Sequence, residues 1–131
     1  MPSNQVYDLV NNLLAGQSIA PAASAAATVN GSGIDMTNSE GPATIEVNVG
    51  AATGSPSSFS VTATMQESVD NSNWTNTTTQ TTLVMTAAGV GYLRGNREAK
   101  YVRSSVVIAF VGGTSPTLVV GSNVMAQKRN F

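Results

Sequence analysis

"ATIEVNVG", residues 43–50, sets Ala43, Ile45, Val47 and Val49 in alternation with Thr44, Glu46 and Asn48. Successive side chains of an extended chain point to opposite faces, so a period of two predicts a strand with one buried and one wet face. "FSVTATMQ", residues 59–66, repeats the pattern, with Phe59, Val61, Ala63 and Met65 set against Ser60, Thr62, Thr64 and Gln66. Between them "GAATGSPSS", residues 50–58, carries the Gly, Pro and Ser chemistry of a turn. Further along, "TTTQTTLVMT" (77–86), "VGYLR" (90–94), "KYVRSSVVIAFV" (100–111) and "SPTLVVGSNVMA" (115–126) are β-branched runs punctuated by "TAAG" and "VGGTSP". With the segments around Thr28 and Ile34 this makes seven or eight strands at regular spacing. A sheet with one apolar face must bury it against another layer. The expected fold is therefore all-β, a single antiparallel sandwich of jelly-roll or immunoglobulin-like topology.

The N-terminal side reads differently. In "PSNQVYDLVNNLLAG" (2–16) Val6, Leu9, Val10, Leu13 and Leu14 fall at helical spacing, Ser3 or Asn4 can cap the start, and Gly16 suits the stop. The segment is expected to be a short amphipathic helix or an extended arm that orders on a partner. "SIAPAASAAATVNGSG" (18–33) is small and uncharged with a proline at 21, and reads as a flexible connector into a first short strand. The expected organisation is an arm and connector over 1–24 and one sandwich domain over 25–131.

Composition narrows the function. The 131 residues contain no cysteine and no histidine. This removes disulfides, thiolate nucleophiles, imidazole bases and nearly all zinc or transition-metal sites. No cofactor is expected. A formal net charge of −1 is too near neutral for phosphate attraction to drive nucleic-acid binding, and no basic amphipathic helix offers a membrane contact. No apolar run approaches the roughly twenty residues that span a bilayer, and the start lacks a signal-peptide pattern. The chain is expected to be made and kept in the cytoplasm of its producer.

"QESVDNSNWTN", residues 66–76, concentrates two carboxylates, three asparagines and the sole tryptophan. A calcium loop of the helix-loop-helix kind starting at Asp70 would need glycine at its sixth position and glutamate at its twelfth, where Thr75 and Thr81 stand. "DNSN" instead supplies residues that tolerate left-handed backbone and bond their own main chain, which makes the stretch a corner. Trp74 is expected to anchor the corner on the core, where its removal would cost roughly 3 to 5 kcal/mol, more than to serve as a sugar platform.

Charge is segregated along the chain. Six of the seven acids lie at or before Asp70, and all six bases lie at or after Arg94. Arg94, Arg97, Lys100 and Arg103 crowd into "RGNREAKYVR". Such a run is usually a solvated loop, and alternatively a basic patch for an acidic neighbour; within the strand, Tyr101 and Arg103 should share a face. Glu40, Glu46, Glu67, Asp70 and Glu98 show no spacing that argues for a glycosidase pair, and no nucleophile-elbow glycines surround a serine near Lys100 or Lys128. No enzyme activity is expected. Asn30, Asn73 and Asn76 each begin an N-x-S/T sequon, which a threonine-rich chain without a signal peptide produces by composition.

An N-terminal arm, "GIDM" at 33–36, a strand ending in "QES", the "DNSNW" turn, "KYVR" leading a long apolar strand, "GGTSP" and a last strand together resemble the small auxiliary capsid proteins of tailed bacteriophages. These decoration or cement proteins include jelly-roll members. The resemblance implies a structural protein on the outer surface of the virion that binds the major capsid protein of an HK97-like shell and itself, as a homodimer or homotrimer. Its contact residues would be Val6, Leu9, Val10 and Leu13 as an apolar anchor and Arg94, Arg97, Lys100 and Arg103 as a basic group. Such phage β-sandwich pieces also occur in tails and fibres, so a glycan- or receptor-binding module is the alternative; the scarcity of aromatics weighs against it.

Overall fold

A computed structural model describes residues 12–129. The elements are β1 (Leu13–Ser24), β2 (Ala27–Asn30), β3 (Ile34–Asp35), β4 (Ser39–Thr53), β5 (Ser58–Ser68), β6 (Thr75–Asn76), β7 (Thr79–Gln80), β8 (Leu83–Met85), β9 (Gly89–Asn96), β10 (Tyr101–Val111) and β11 (Thr117–Lys128). One sheet, here sheet I, runs β1-β11-β4-β9-β7, and the other, sheet II, runs β2-β10-β5-β6 with β3 also on β10 and β8 also on β5. Every ladder is antiparallel.

β2 and β3 occupy successive parts of one edge of β10, and β6 and β8 do the same along β5. Counting each such interrupted strand once, and leaving aside the two-residue β7 at the edge of β9, gives the orders first-eighth-third-sixth and second-seventh-fourth-fifth. That is the double Greek key of a jelly roll, and it decides between the two sandwich topologies that the turn spacing allowed.

The alternation in "ATIEVNVG" and "FSVTATMQ" is realised residue by residue. Ala43, Ile45, Val47 and Val49 of β4 face Val61, Ala63 and Met65 of β5 across the interior, with Leu93, Val102, Val106, Ile108, Leu118, Val120 and Val124 completing the core. Met36, only 1% exposed, plugs one end. The core is aliphatic. Phe59 and Phe110, cross-strand partners on β5 and β10, are only partly buried against it.

Two loops interlock at one end of the sandwich. Thr114 N–H donates to the Gly54 carbonyl at 2.9 Å and Ser57 N–H to the Val111 carbonyl at 2.8 Å. Gly113 has φ of 86°. A Cβ there would stand 2.8 Å from the Gly54 oxygen, so this crossing requires glycine on both counts.

Three expectations are corrected. Residues 13–24, read as the end of a short helix or extended arm followed by a connector, form β1, which pairs with β11 from Leu13 opposite Gln127 to Ser24 opposite Leu118. Helical spacing and small residues gave way to the open edge of β11, whose backbone groups need partners, and strand propensity is too context-dependent to forbid this. Register shifts between Gln17 and Ile19 and between Ile19 and Ala22 absorb Pro21, which an edge strand tolerates. Leu13 and Ile19 therefore belong to the sandwich, with Ile19 in its core, so the sandwich begins well before residue 25. Ser18 stitches β1 across to sheet II, its Oγ donating to the Ser32 carbonyl at 2.9 Å and accepting from Ser104 N–H at 3.1 Å.

The second correction concerns "TTTQTTLVMT", which is not one strand. The chain pairs with β5 as β6, crosses to sheet I as β7 on β9, and returns to β5 as β8. Between β6 and β8 the Met65 carbonyl of β5 accepts from Thr77 N–H at 3.1 Å, but the Met65 N–H has no backbone partner on that edge. Gln80 fills the gap, its Oε1 accepting from Met65 N–H at 2.7 Å and its Nε2 donating to the Met65 carbonyl at 2.8 Å. A side-chain amide thus imitates one residue of a strand. The third correction, at Trp74, belongs with the corner below.

Candidate interaction surfaces

The corner at residues 66–76 is built around Asp70. Its Oδ1 accepts from Ser68 Oγ at 2.8 Å, Ser72 N–H at 3.0 Å and Asn73 N–H at 2.9 Å, and its Oδ2 accepts from Asn73 Nδ2 at 2.9 Å. Donors from Asn73, Ser68 and Ser72 hold the carboxyl well below the usual carboxylate range. Asn71 sits in the left-handed region at φ of 59°, as the asparagine-rich composition allows. Among the described residues no three His, Cys, Asp or Glu side chains converge on a common point.

Trp74 follows the corner but does not enter the core. It is half-buried and lies on the outer side of sheet II. The Arg103 guanidinium stands 4.4 Å from its ring centroid. Its outer edge lies over Gly33, where any side chain would collide with the ring and with Asn71 Oδ1. Gly33 is thus needed for close approach. The interior is already filled by Met65, Val102 and Met36, each 1% exposed or less, which leaves no room for an indole. The aromatic face that a sugar would need at this corner is occupied by the chain's own arginine.

The four bases of the crowded stretch go to different places. Arg94 is exposed on the outer face of sheet I. Arg97 turns inward and clamps one end of the fold: Nη2 donates to the Ser39 carbonyl at 3.0 Å, the Met36 carbonyl at 3.2 Å and Ser39 Oγ at 2.6 Å, and Nη1 donates to the Ala99 carbonyl at 3.3 Å. Burial lowers its pKa, with Glu67 opposing the shift. Lys100 makes an exposed ion pair with Asp35 at 3.8 Å and lies 5.2 Å from the Tyr101 ring centroid. Arg103 donates from Nε to Gln66 Oε1 at 2.9 Å while stacking on Trp74. Tyr101 and Arg103 do share the outer face of sheet II, but the four cations do not form one surface. Of the apolar anchor residues, Leu13 is in β1 opposite Gln127, and Val6, Leu9 and Val10 lie outside the described residues.

The outer face of sheet II carries a feature missed at the level of sequence. Cross-strand register aligns Val84, Thr62, Val107 and Thr28 in one row over β8, β5, β10 and β2. The next rows toward the interlocked loops are Ser60 with Ala109 and Ser58 with Val111. Val84, Val107 and Val111 are 57%, 47% and 62% exposed, and these rows contain no charged side chain. The signal was available in "YVRSSVVIAFV": its buried phase is Val102, Val106 and Ile108, yet its wet phase also ends in Val107, Ala109 and Val111. Reading the apolar phase alone hides the second one.

No family model, no curated protein and no solved structure matches the chain.

Proposed function

We propose that the chain is a structural capsid protein of a tailed bacteriophage, a decoration or cement subunit that docks on the outer surface of the major shell protein and stabilises it. The observation that carries this reading is the set of charge-free Val, Thr, Ser and Ala rows on the outside of sheet II, at the end toward the interlocked loops. Contiguous exposed apolar surface with polar surroundings marks contact sites, and a surface without charges can be covered without stripping water from an ion. A flat antiparallel face of several strands, stiffened by a second sheet, offers a rigid contact of the kind a clamp between shell subunits requires. The "GIDM", "DNSNW", "KYVR" and "GGTSP" segments support the same assignment through their resemblance to auxiliary capsid proteins. Self-association as a dimer or trimer is part of the proposal, with sheet II shared between a copy and the shell.

The glycan-binding alternative had its natural platform at Trp74, and Arg103 occupies that ring. The test of the shell reading is direct. Purified chain is mixed with phage heads or major-protein shells stripped of auxiliary proteins, and the pelleted particles are imaged and assayed for heat or low-salt disruption. Stoichiometric decoration with raised particle stability is the expected result. Absence of the chain from the particles at saturating concentration would refute the proposal.

A further inference from the structure

The outer face of sheet I, opposite the shell-docking face, bears a different surface. Ladder register brings Tyr92 of β9, Glu46 of β4, Asn123 of β11 and Gln17 of β1 into one transverse row. At about 4.8 Å per strand spacing this row is roughly 14 Å long. Tyr92 opens it as a ring that is 60% exposed, and Val90, 52% exposed, extends the apolar platform two residues along the same strand.

Glu46 is held in place beside that ring. Its Oε1 accepts from Asn48 Nδ2 at 3.0 Å and from Asn123 Nδ2 at 3.1 Å. Both amides are spent on the same oxygen, so Oε2 keeps its lone pairs for another donor, and each amide keeps a carbonyl and a second N–H. Arg94 projects from the same face of β9, diagonal to Glu46, so that the ensemble is formally neutral. Nothing among the described hydrogen bonds or ion pairs consumes the Tyr92 hydroxyl or the Arg94 guanidinium.

We propose that this row is a carbohydrate-binding site for a neutral pyranose oligosaccharide two or three residues long. A pyranose has one face of C–H bonds and a rim of hydroxyls that both donate and accept. Tyr92 and Val90 supply an apolar platform for the first. Glu46 Oε2 accepts from a ring hydroxyl, and the spare amide groups of Asn48, Asn123 and Gln17 meet hydroxyls further along the row. The amide pair fixes the carboxylate before the ligand arrives, which lowers the ordering cost of binding. The balance of Glu46 and Arg94 favours an uncharged sugar over an acidic or amino sugar. The site uses the sheet opposite the shell-docking face, so it does not depend on that reading, and a docked subunit would present it outward.

The experiment is a heteronuclear NMR titration of the intact chain with maltotriose, cellotriose, mannotriose, tri-N-acetylchitotriose and, as a charged comparison, trigalacturonate. The expected result is a fast-exchange, saturable set of shifts centred on Glu46, Asn48, Tyr92 and Asn123 for at least one neutral trisaccharide. Tyr92→Ala and, separately, Asn123→Ala should each weaken that binding by roughly tenfold, the loss of about 1.4 kcal/mol, with the rest of the spectrum unchanged. No saturable shift with any of the neutral sugars, or shifts that fall elsewhere or survive both substitutions, overturns the site. Binding of trigalacturonate alone would overturn the neutral specificity. Shifts at Tyr92 that depend on protein concentration in the absence of sugar would identify a self-contact there instead, and would equally overturn it. Shell binding in the pelleting assay is unaffected by any of these outcomes.

Discussion

Arg103 lies over Trp74 with its guanidinium carbon 4.4 Å from the ring centroid, while its Nε is held by Gln66 Oε1 at 2.9 Å. Gln66 is itself oriented by a bond from its Nε2 to Asn76 Oδ1 at 3.2 Å. The stack is therefore fixed from below by β5 and β6. A cation on an indole contributes about 0.5–1 kcal/mol when exposed and about 2 kcal/mol when desolvated. The half-buried pair should show a coupling of about 1 kcal/mol in a double-mutant cycle of Trp74→Ala and Arg103→Ala followed by urea denaturation. Trp74→Ala alone should cost about 1–3 kcal/mol, less than removal of a large aromatic from a core. A near-zero coupling would show that the two side chains pack without attracting each other.

Gln80 gives the clearest single-residue test of the jelly roll. Its backbone belongs to β7 in sheet I, paired opposite Gly95, while its side chain closes the gap at Met65 in sheet II. Gln80→Ala leaves the Met65 N–H without a partner and its carbonyl with the Thr77 N–H alone, which should cost about 1–3 kcal/mol. Gln80→Glu should be no better, because a carboxylate can take the Met65 N–H but cannot donate to its carbonyl. Amide hydrogen exchange at Met65 should accelerate in Gln80→Ala more than at Val61 or Ala63, which keep β8 as partner, and much less in Gln80→Glu, whose carboxylate still accepts that N–H.

The corner predicts how stability responds to acid. Asp70 has a folded-state pKa depressed by donors from Asn73, Ser68 and Ser72, and Asp35 is depressed chiefly by the Thr37 side chain and N–H. A depressed carboxyl stabilises the fold above its unfolded pKa, near 3.9, and that contribution is lost as pH falls toward the folded value. The melting temperature should therefore hold from pH 7 to about pH 5 and fall progressively below about pH 4. Asp70→Asn should flatten that acid limb at the expense of stability at neutral pH. Because Oδ1 takes three donors and Oδ2 a fourth, millimolar calcium or a chelator should leave the neutral-pH melting temperature unchanged.

The sandwich was legible in the sequence because one physical rule, alternation across a pleat, governs β4, β5 and the buried phase of β10. The interrupted strands were not. β6, β7 and β8 each contain three residues or fewer, too short for any period to register, and their placement depends on which edge of β5 or β9 is open. β1 was not read as part of the sandwich, because its helix-like spacing and small residues gave no sign of the edge pairing with β11. The basic cluster shows the same limit from another side. Arg94, Arg97, Lys100 and Arg103 are neighbours in sequence, but the turn between β9 and β10 moves the chain from sheet I to sheet II, so Arg94 and Arg103 end on opposite outer faces. The corner at Asp70 was readable because its hydrogen bonds are local. The rows of Val84, Thr62 and Val107 were not, since register between strands far apart in sequence is a tertiary fact.

That row also supplies the sharpest test of docking. Val84 and Val107 flank Thr62 on the outer face of sheet II and are 57% and 47% exposed, so replacing either removes little from the interior. Val84→Lys and Val107→Lys should each leave the melting temperature within the small range typical of surface changes, about 0.5 kcal/mol in stability. If the face is covered by a partner, a lysine at its centre must be desolvated without a carboxylate to meet it, a penalty of several kcal/mol for a buried unpaired charge. Decoration of shells should then drop by roughly a hundredfold or more in apparent affinity, about 2.7 kcal/mol or greater. The double variant should abolish it. Arg94→Glu, on the opposite sheet, serves as the control and should change decoration little at any ionic strength. Should the lysine variants decorate as fully as the parent chain while Arg94→Glu fails, the docking face is sheet I, and the valine rows are bare solvent-facing surface.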